Sequence, residues 1–378
     1  MGFDQFVNLL DLNTAMTIHV ATAQTFEFPQ LPITGRKLRF ALLGCGRIAQ
    51  NHMAALAQHS DRAEWVAVCD TNPTALASAV VTTGAKPYTS LDAMLKECNA
   101  DIVVICTPSG LHPEQCIKVA ESGRHVMTEK PMATRWQDGL RMVKACDDAG
   151  VKLFVVKQNR RNPTLQLLKK AVEANRFGRI YMVNINVFWT RPQDYYDSAA
   201  WRGTWEFDGG AFMNQASHYI DLLDWLIGPI ESLQAYTATL ARHIEVEDSG
   251  VMSVKWRSGA LGSVNVTMLT YPKNFEGSVT IIGEKGTVRV GGVAVNKIET
   301  WDFAEAHPDD EQVREASYQT TSVYGFGHPL YYNNVIETMR GEAVAETDGR
   351  EGLKSLEVLI ATYLSARDGK RVALPLDY

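Results

Sequence analysis

After Cys146 the sequence contains no cysteine, and the six that it has (Cys45, Cys69, Cys98, Cys106, Cys116 and Cys146) include no CxxC pair and no zinc-site spacing. This argues against a disulfide framework and a cysteine-built metal centre; no metal is expected. Four of the six sit in apolar strand-like or helix-like stretches. They read as reduced, packed thiols, which suits a reducing compartment, the cytoplasm. No apolar run is long enough to span a membrane. Positive charge is in deficit: 37 Lys and Arg against 43 Asp and Glu give a formal net charge of −6, so nucleic acid is not an expected partner. An anionic small molecule would need a local basic cluster instead. Internal repeats and low-complexity tracts are missing too. No lysine or arginine precedes Arg36 and an acid stands at Asp4, so the start does not look like a signal peptide. With Pro29, Pro32 and Gly35 breaking any helix, residues 1–36 read as a loosely ordered extension.

What remains is a long chain of ordinary globular composition, 378 residues with 46% hydrophobic and 21% charged, for which two domains is the natural expectation. From Leu38 to about Phe154 short apolar runs (LRFALL, WVAVC, IVVI, HVMT, KLFVV) alternate with helix-like stretches. Such alternation implies right-handed crossovers and a doubly wound parallel sheet over residues 37–157. Over 158–378 the rhythm changes to a helix (NPTLQLLKKAVEA) and then to alternating segments such as RIYMVNINVFW, SGVMSVKW and GALGSVNVTML. These predict an α+β domain with a large, mostly antiparallel open sheet, with Gly283 and Gly286 making a tight connection. Helices are expected at about 212–227 and 350–367.

The first strand runs into Gly44-Cys45-Gly46-Arg47-Ile48-Ala49, and a helix follows. In GxGxxA at this place, the first glycine permits the tight turn and the second lets a pyrophosphate approach the backbone. The alanine lets helix and strand pack closely. Gly44, Gly46, Arg47 and Ile48 are therefore candidate dinucleotide contacts, with the helix N-terminus offering free N–H groups. The second strand ends in Asp70, followed by neutral Thr71 and Asn72. An acid there binds a ribose and repels a 2′-phosphate, which favours NAD over NADP; the same acid is placed to cap the helix that starts at Pro73. Strand four leads into Thr107-Pro108-Ser109-Gly110-Leu111-His112 and strand five into Glu129-Lys130-Pro131. Ligands in such sheets lie beyond the carboxyl ends of the strands, so Thr107, Ser109, His112, Glu129 and Lys130 point towards the nicotinamide half of the cofactor.

The elements GCGRIA, CTPSGLH and SGRHVMTEKP, in this order, resemble the Gfo/Idh/MocA family of oxidoreductases over about residues 38–375. The resemblance implies a Rossmann domain, a second domain with a large open sheet, and a homotetramer or dimer built on that sheet. It assigns Lys130 to the nicotinamide and the reacting hydroxyl, and it extends the cofactor contacts to Gln158, Trp201 and Arg202. A second-domain pattern D-x-x-x-H supplies further catalytic groups; here the histidine is His218, but Asn214 stands where the acid is usual. Spaced by four, the two are expected on one helix face. Lys130 and His218 are the two candidates for the base and are expected to act as a unit, His218 slightly ahead of Lys130, with Asn214 orienting rather than titrating.

Several further stretches (VVKQNRRNPTLQLLKKAV, WRGTWEFDGGAFMNQASHY, TSVYGFGHPLYY) resemble one branch of the family. Its members oxidise the 3-hydroxyl of UDP-N-acetylglucosaminuronate, a step towards bacterial lipopolysaccharide sugars. Such a UDP-sugar carries two phosphates and a carboxylate. Lys157, Arg160, Arg161, Arg191, Arg202 and Lys273 gather in the matching segments and suit charge-assisted bonds. Lys130, Gln158, Asn159, Arg160, Arg161, Arg191, Asn214, His218 and Lys273 form the expected substrate set. The other reading of these cations is a solvated surface, and Trp189, Tyr195, Tyr196 and Trp201 stand open between stacking on sugar or base and packing in the sheet. Two other functions are also open: a dehydrogenase of a free cyclitol or monosaccharide, and a non-catalytic NAD-binding sensor.

Overall fold

A computed structural model describes residues 32–320, 323 and 325–376; most of the extension expected over residues 1–36 lies outside them. Its described end is not loose. The Ile33 N–H bonds the Met339 carbonyl at 2.9 Å, and the Arg36 guanidinium grips both oxygens of Asp101 at 2.6 and 2.7 Å. The chain divides into two compact units, one of 32–156 with His328–Leu353 and the other of Lys157–Gly327 with 354–376.

In the first unit six parallel strands stand in the order β3-β2-β1-β4-β5-β6: β1 Leu38–Leu43, β2 Ala63–Cys69, β3 Lys86–Tyr88, β4 Ile102–Ile105, β5 His125–Thr128 and β6 Leu153–Val155. The connecting helices are α1 Ala49–Ala57, α2 Pro73–Thr83, α3 Leu91–Glu97, α4 His112–Glu121 and α5 Trp136–Asp148. Strands β4 and β5 are buried throughout, which is why they read as continuous apolar runs rather than alternating ones. The order reverses between β1 and β4, so their carboxyl ends flank the crevice where ligands of such sheets bind. Strand β3, KPY, is too short and polar to announce itself. The expected boundary at 157/158 misses a return of the chain. Tyr331, Tyr332, Val335, Ile336 and Met339 of α8 (Gly327–Met339) belong to the same buried cluster as Phe40, Leu42 and Val104, and Tyr332 lies 5.7 Å from the Phe40 ring.

The second unit holds an eight-stranded sheet in the order β13-β12-β11-β7-β10-β9-β8-β14, built from β7 Ile180–Phe188, β8 Ile230–Ala238, β9 Ser249–Trp256, β10 Leu261–Thr267, β11 Glu276–Gly283, β12 Gly286–Gly291, β13 Lys297–Phe303 and β14 Val372–Ala373. Only β7 and β10 pair in parallel; the other pairings are antiparallel. Period-two burial fixes the faces: Val183, Ile185, Val187, Met252, Val254, Val264, Val266, Val279 and Ile281 are buried. The other face keeps polar residues such as Asn186 and Asn265, joined at 2.9 Å. Helix α6 (Pro163–Glu173) follows the sequence expectation. The helix expected at about 212–227 does not run unbroken. It is a π-type turn over Ala211–Gln215, a break at Ala216, α7 Ser217–Leu222 and a second π-type turn over Leu223–Ile227. Helix α9 runs Gly349–Asp368.

Because α8 completes the core of the first unit, residues 37–157 alone are expected not to unfold cooperatively by circular dichroism. The same fragment joined through a flexible linker to 328–353 is expected to recover a cooperative melt, and equal melts would show that the returning segment is dispensable.

Candidate active site

In the first unit the chain leaves β1 through Gly44 at φ +87, and a β-carbon there would lie 2.7 Å from the Cys106 carbonyl carbon. Only glycine meets both conditions. At Gly46 a β-carbon would meet nothing within 4 Å, so the backbone faces open space. Ile48, the residue that starts α1, offers no side-chain cap, and the first N–H groups of the helix therefore lack a side-chain acceptor. This cradle fits a pyrophosphate, while the Arg47 side chain stands exposed beside it. Asp70 is half-buried at the end of β2. One carboxylate oxygen accepts the Cys45 N–H at 2.6 Å and the other the Asn72 N–H at 2.7 Å, so Asp70 pins the glycine loop to the second strand. It does not cap α2; Asn72 does, accepting from the Thr74 and Ala75 N–H groups.

The structure corrects two of the side chains expected to face the cofactor. His112 is buried, with its ring nitrogens 2.9 Å from the carbonyls of Pro131 and Thr107; it ties the two loops together and has no nitrogen left for a ligand. Glu129 turns into the unit. Its carboxylate accepts the Lys130 N–H at 3.0 Å and meets His52 Nε2 at 2.8 Å, while His52 Nδ1 meets the Tyr332 hydroxyl at 2.8 Å. Burial opposes ionisation of Glu129, but the His52 bond and nearby positive charge hold its carboxyl below the usual range. Burial pushes neighbouring His328 down to about 3. Ligand-type atoms of His52, Glu129 and His328 lie within 4.8 Å of one another, and within this group His52 and Glu129 are hydrogen-bonded. Ser109 is buried, Thr107 donates to Gln115 at 2.5 Å, and Lys130 is half-buried at the end of the strand.

In the second unit the segment after β6 carries Lys157, Gln158, Asn159, Arg160 and Arg161. The Arg160 guanidinium forks onto Asp221 at 2.6 and 2.8 Å, both side chains nearly sealed from solvent, and Lys157 Nζ is 3.7 Å from the same carboxylate and 2.6 Å from Ser355. Burial opposes the charge on Asp221, but the two cations hold its carboxyl low. Arg160 is thus committed to the fold rather than free for a substrate anion. Arg161, half-buried, is the guanidinium of this pair that stays a candidate. The Gln158 amide nitrogen lies 2.9 Å from His218 Nε2. As placed, the amide donates, so this ring nitrogen carries a lone pair. Asn159 is buried. Asn214 and His218 do not share one regular helix face: Asn214 sits in the first π-type turn and His218 at the start of α7. The Asn214 side-chain nitrogen donates to Asp208, whose other oxygen takes the Gly203 N–H at 2.7 Å. Asp208 and Asp221, which hold Asn214 and Arg160 in place, are not among the residues expected from the sequence.

A second group lies around residues 189–202. The Tyr195 ring has the Arg202 guanidinium 4.3 Å away and that of Arg191 5.4 Å away, and Arg202 also covers Trp201 at 4.5 Å. Trp189 and Tyr196 are buried packing residues, whereas Tyr195 and Trp201 are half-buried. Arg191 bonds the Thr190 carbonyl at 2.7 Å, and Lys273 stands exposed in the turn after β10.

Comparison with known proteins gives two family matches: "Oxidoreductase family, NAD-binding Rossmann fold" over residues 38–157 and "Oxidoreductase family, C-terminal alpha/beta domain" over 169–374. Two solved structures are highly similar. The WlbA dehydrogenase of Chromobacterium violaceum, in complex with NADH and UDP-GlcNAcA, is 73% identical over 92% of this chain and 99% of that one, with a TM-score of 0.88. The WlbA dehydrogenase of Bordetella pertussis, with the same two ligands, is 71% identical over 92% of this chain and 100% of that one, with a TM-score of 0.89. A D-apiose dehydrogenase of Paraburkholderia graminis is 26% identical over 94% of each chain.

The two adjacent arginines should separate on mutation. Arg160→Ala leaves Asp221 buried without its main partner, and losing half of such a pair costs about 3–5 kcal/mol. Arg161→Ala, at a half-buried position outside that sealed pair, should cost less than Arg160→Ala. Denaturant melts check this, and equal losses would show that the Arg160–Asp221 pair does not carry the difference.

Proposed function

The chain belongs to the Gfo/Idh/MocA oxidoreductase family, and we propose that it oxidises the 3-hydroxyl of UDP-N-acetylglucosaminuronate to the 3-keto sugar nucleotide, a step in making lipopolysaccharide sugars. The supporting observation is the identity of 71–73% over 92% of this chain to dehydrogenases that bind NADH and UDP-GlcNAcA. At 26% identity, the D-apiose enzyme gives the free-sugar alternative much less support. The cofactor is NAD: the loop at Gly44–Ile48 has the open backbone and the uncapped helix start that a pyrophosphate needs, and Asp70 stands where a 2′-phosphate would be repelled.

Bound NAD supplies the hydride acceptor. The chain must hold the sugar, take the hydroxyl proton and stabilise charge on the oxygen as the carbonyl forms. His218 is the proposed base. Gln158 holds its ring with Nε2 unprotonated, and the substrate hydroxyl takes the place of the amide on binding. Lys130, anchored through its own N–H to Glu129, polarises the oxygen. Asn214, fixed by Asp208, orients without titrating. Arg161, Arg191 and Lys273 are the proposed partners of the phosphates and the carboxylate, with Asn159 lining the same segment as Gln158. Trp201 and Arg202 are proposed for the cofactor.

We also place the enzyme in the cytoplasm as a homotetramer or dimer. Supporting the oligomer, Met182, Leu261 and Ile282 form one exposed apolar row across β7, β10 and β11, and exposed apolar surface of this kind can mark an interface. Among the described residues no helix is long and apolar enough to cross a membrane.

Two experiments test the reading. Asp70→Ala should weaken NAD binding, and adding Thr71→Arg should improve use of NADP; unchanged affinity for both cofactors in the single variant removes Asp70 from the ribose. For the chemistry, single-turnover NADH formation with UDP-N-acetylglucosaminuronate is compared in wild type, Lys130→Met, His218→Asn and the double variant. Each single change should cost on the order of 10²–10⁴-fold, and the double little more, because residues acting as a unit are non-additive. Normal turnover in a single variant excludes that residue, and multiplicative losses exclude a shared proton.

A further inference from the structure

The π-type turn Ala211–Gln215 begins with N–H groups that no earlier helical turn can satisfy. Two residues from distant parts of the sequence take four of them in succession. The Tyr363 hydroxyl oxygen accepts from Gly210 at 3.3 Å and from Met213 at 3.2 Å. The Glu247 main-chain carbonyl accepts from Ala211 at 3.1 Å, and its side-chain Oε1 from Phe212 at 2.9 Å. The two are joined, because the Tyr363 hydroxyl donates to the same Oε1 at 2.9 Å. The fit is close on all sides. A β-carbon at Gly210 would lie 1.6 Å from Glu247 Oε2, and Trp205 packs edge-on against the Tyr363 ring at 5.5 Å. The turn carries Asn214 and leads into His218.

We propose that Glu247 and Tyr363 form a clamp that positions Asn214 and His218, making both of them positioning residues of the reaction. The proposal rests on the reading above that Asn214 and His218 serve the chemistry. What the clamp needs from Glu247 is an acceptor oxygen at Oε1, not a charge. Its Oε2 has no hydrogen-bond partner among the described residues, an arrangement that suits a carboxylic acid better than a carboxylate. Burial, with the charge of Asp208 acting the same way, pushes the Glu247 carboxyl up to about 7 against the pull of the Phe212 N–H and the Tyr363 hydroxyl. The folded value lies above the ordinary one, so this group favours the fold at low pH. Its contribution is lost as pH rises towards and through about 7.

The test uses the full-length enzyme and three variants: Glu247→Ala, Glu247→Gln and Tyr363→Phe. Glu247→Gln keeps an acceptor oxygen and no charge. It should retain near-wild-type kcat, and its melting temperature should fall less than that of the wild type as pH rises through about 7. Glu247→Ala and Tyr363→Phe leave N–H groups unmet and let the turn drift. Misplacement of about 1 Å can cost on the order of 10²-fold, so kcat should fall at least about tenfold while the Kd for NAD and for UDP-N-acetylglucosaminuronate stays put. If Glu247→Ala does not fold, the other two variants decide. A folded Tyr363→Phe with normal kcat overturns the clamp, as does a folded Glu247→Gln that loses kcat. A His218→Asn enzyme that turns over normally instead removes the reading beneath the clamp, so the two failures are distinguishable.

Discussion

A carboxylate taken out of water must be met by N–H groups or cations, and in both units that constraint fixes the loops that carry the candidate site residues. Asp70 holds the glycine loop through the Cys45 N–H. Glu129 holds the backbone of Lys130 and is itself held by His52. Asp221 gathers Arg160 and Lys157 beneath the segment that carries Gln158. Asp208 spans from Gly203 to Asn214. Asp248 does the same for the stretch before β9, accepting the N–H groups of Leu240, Ala241 and Arg242. Each carboxylate satisfies backbone or side-chain donors that would otherwise be buried and unmet, which is expensive. In return each loop is left with one low-energy position. The result is a set of rigid first contacts built on connections rather than on strands.

This explains what the sequence discloses and what it hides. The nucleotide loop is legible because its demands are local. A glycine at positive φ, an open glycine and an alanine at a helix start are all set by neighbours within a few residues, and GCGRIA meets them in order. Strands β4 and β5 are legible because burial on both faces leaves no polar alternation. The role of Arg160 is hidden because its partner is 61 residues away. QNRRNP reads as a basic cluster, and nothing in it says that one guanidinium is sealed against Asp221 while its neighbour is half-open. Glu129 and His112 deceive for the same reason. Each sits at a strand's carboxyl end, where ligands bind, but the side chain of each is spent on packing one loop against another. The α8 segment is missed because its apolar residues complete a core whose remainder lies within residues 38–156, and a linear boundary cannot express that.

The same logic accounts for the asparagine at 214, where the family pattern has an acid. Losing a carboxylate beside the histidine proposed as the base would weaken it, since a nearby negative charge steadies an imidazolium. The charge has been relocated rather than lost. Asp208 stands six residues earlier and engages the Asn214 amide, and Asp221 lies three residues beyond His218 in the same short helix. Asp221 is gripped by Arg160 and Lys157, and Asp208 accepts from the Gly203 N–H and the Asn214 amide. An amide held by that acid can orient a neighbour without offering a second carboxylate as proton acceptor. On the proposed reading, an amide at 214 leaves His218 as the one titrating group of the pair and keeps a second acceptor away from the proton that the sugar hydroxyl releases.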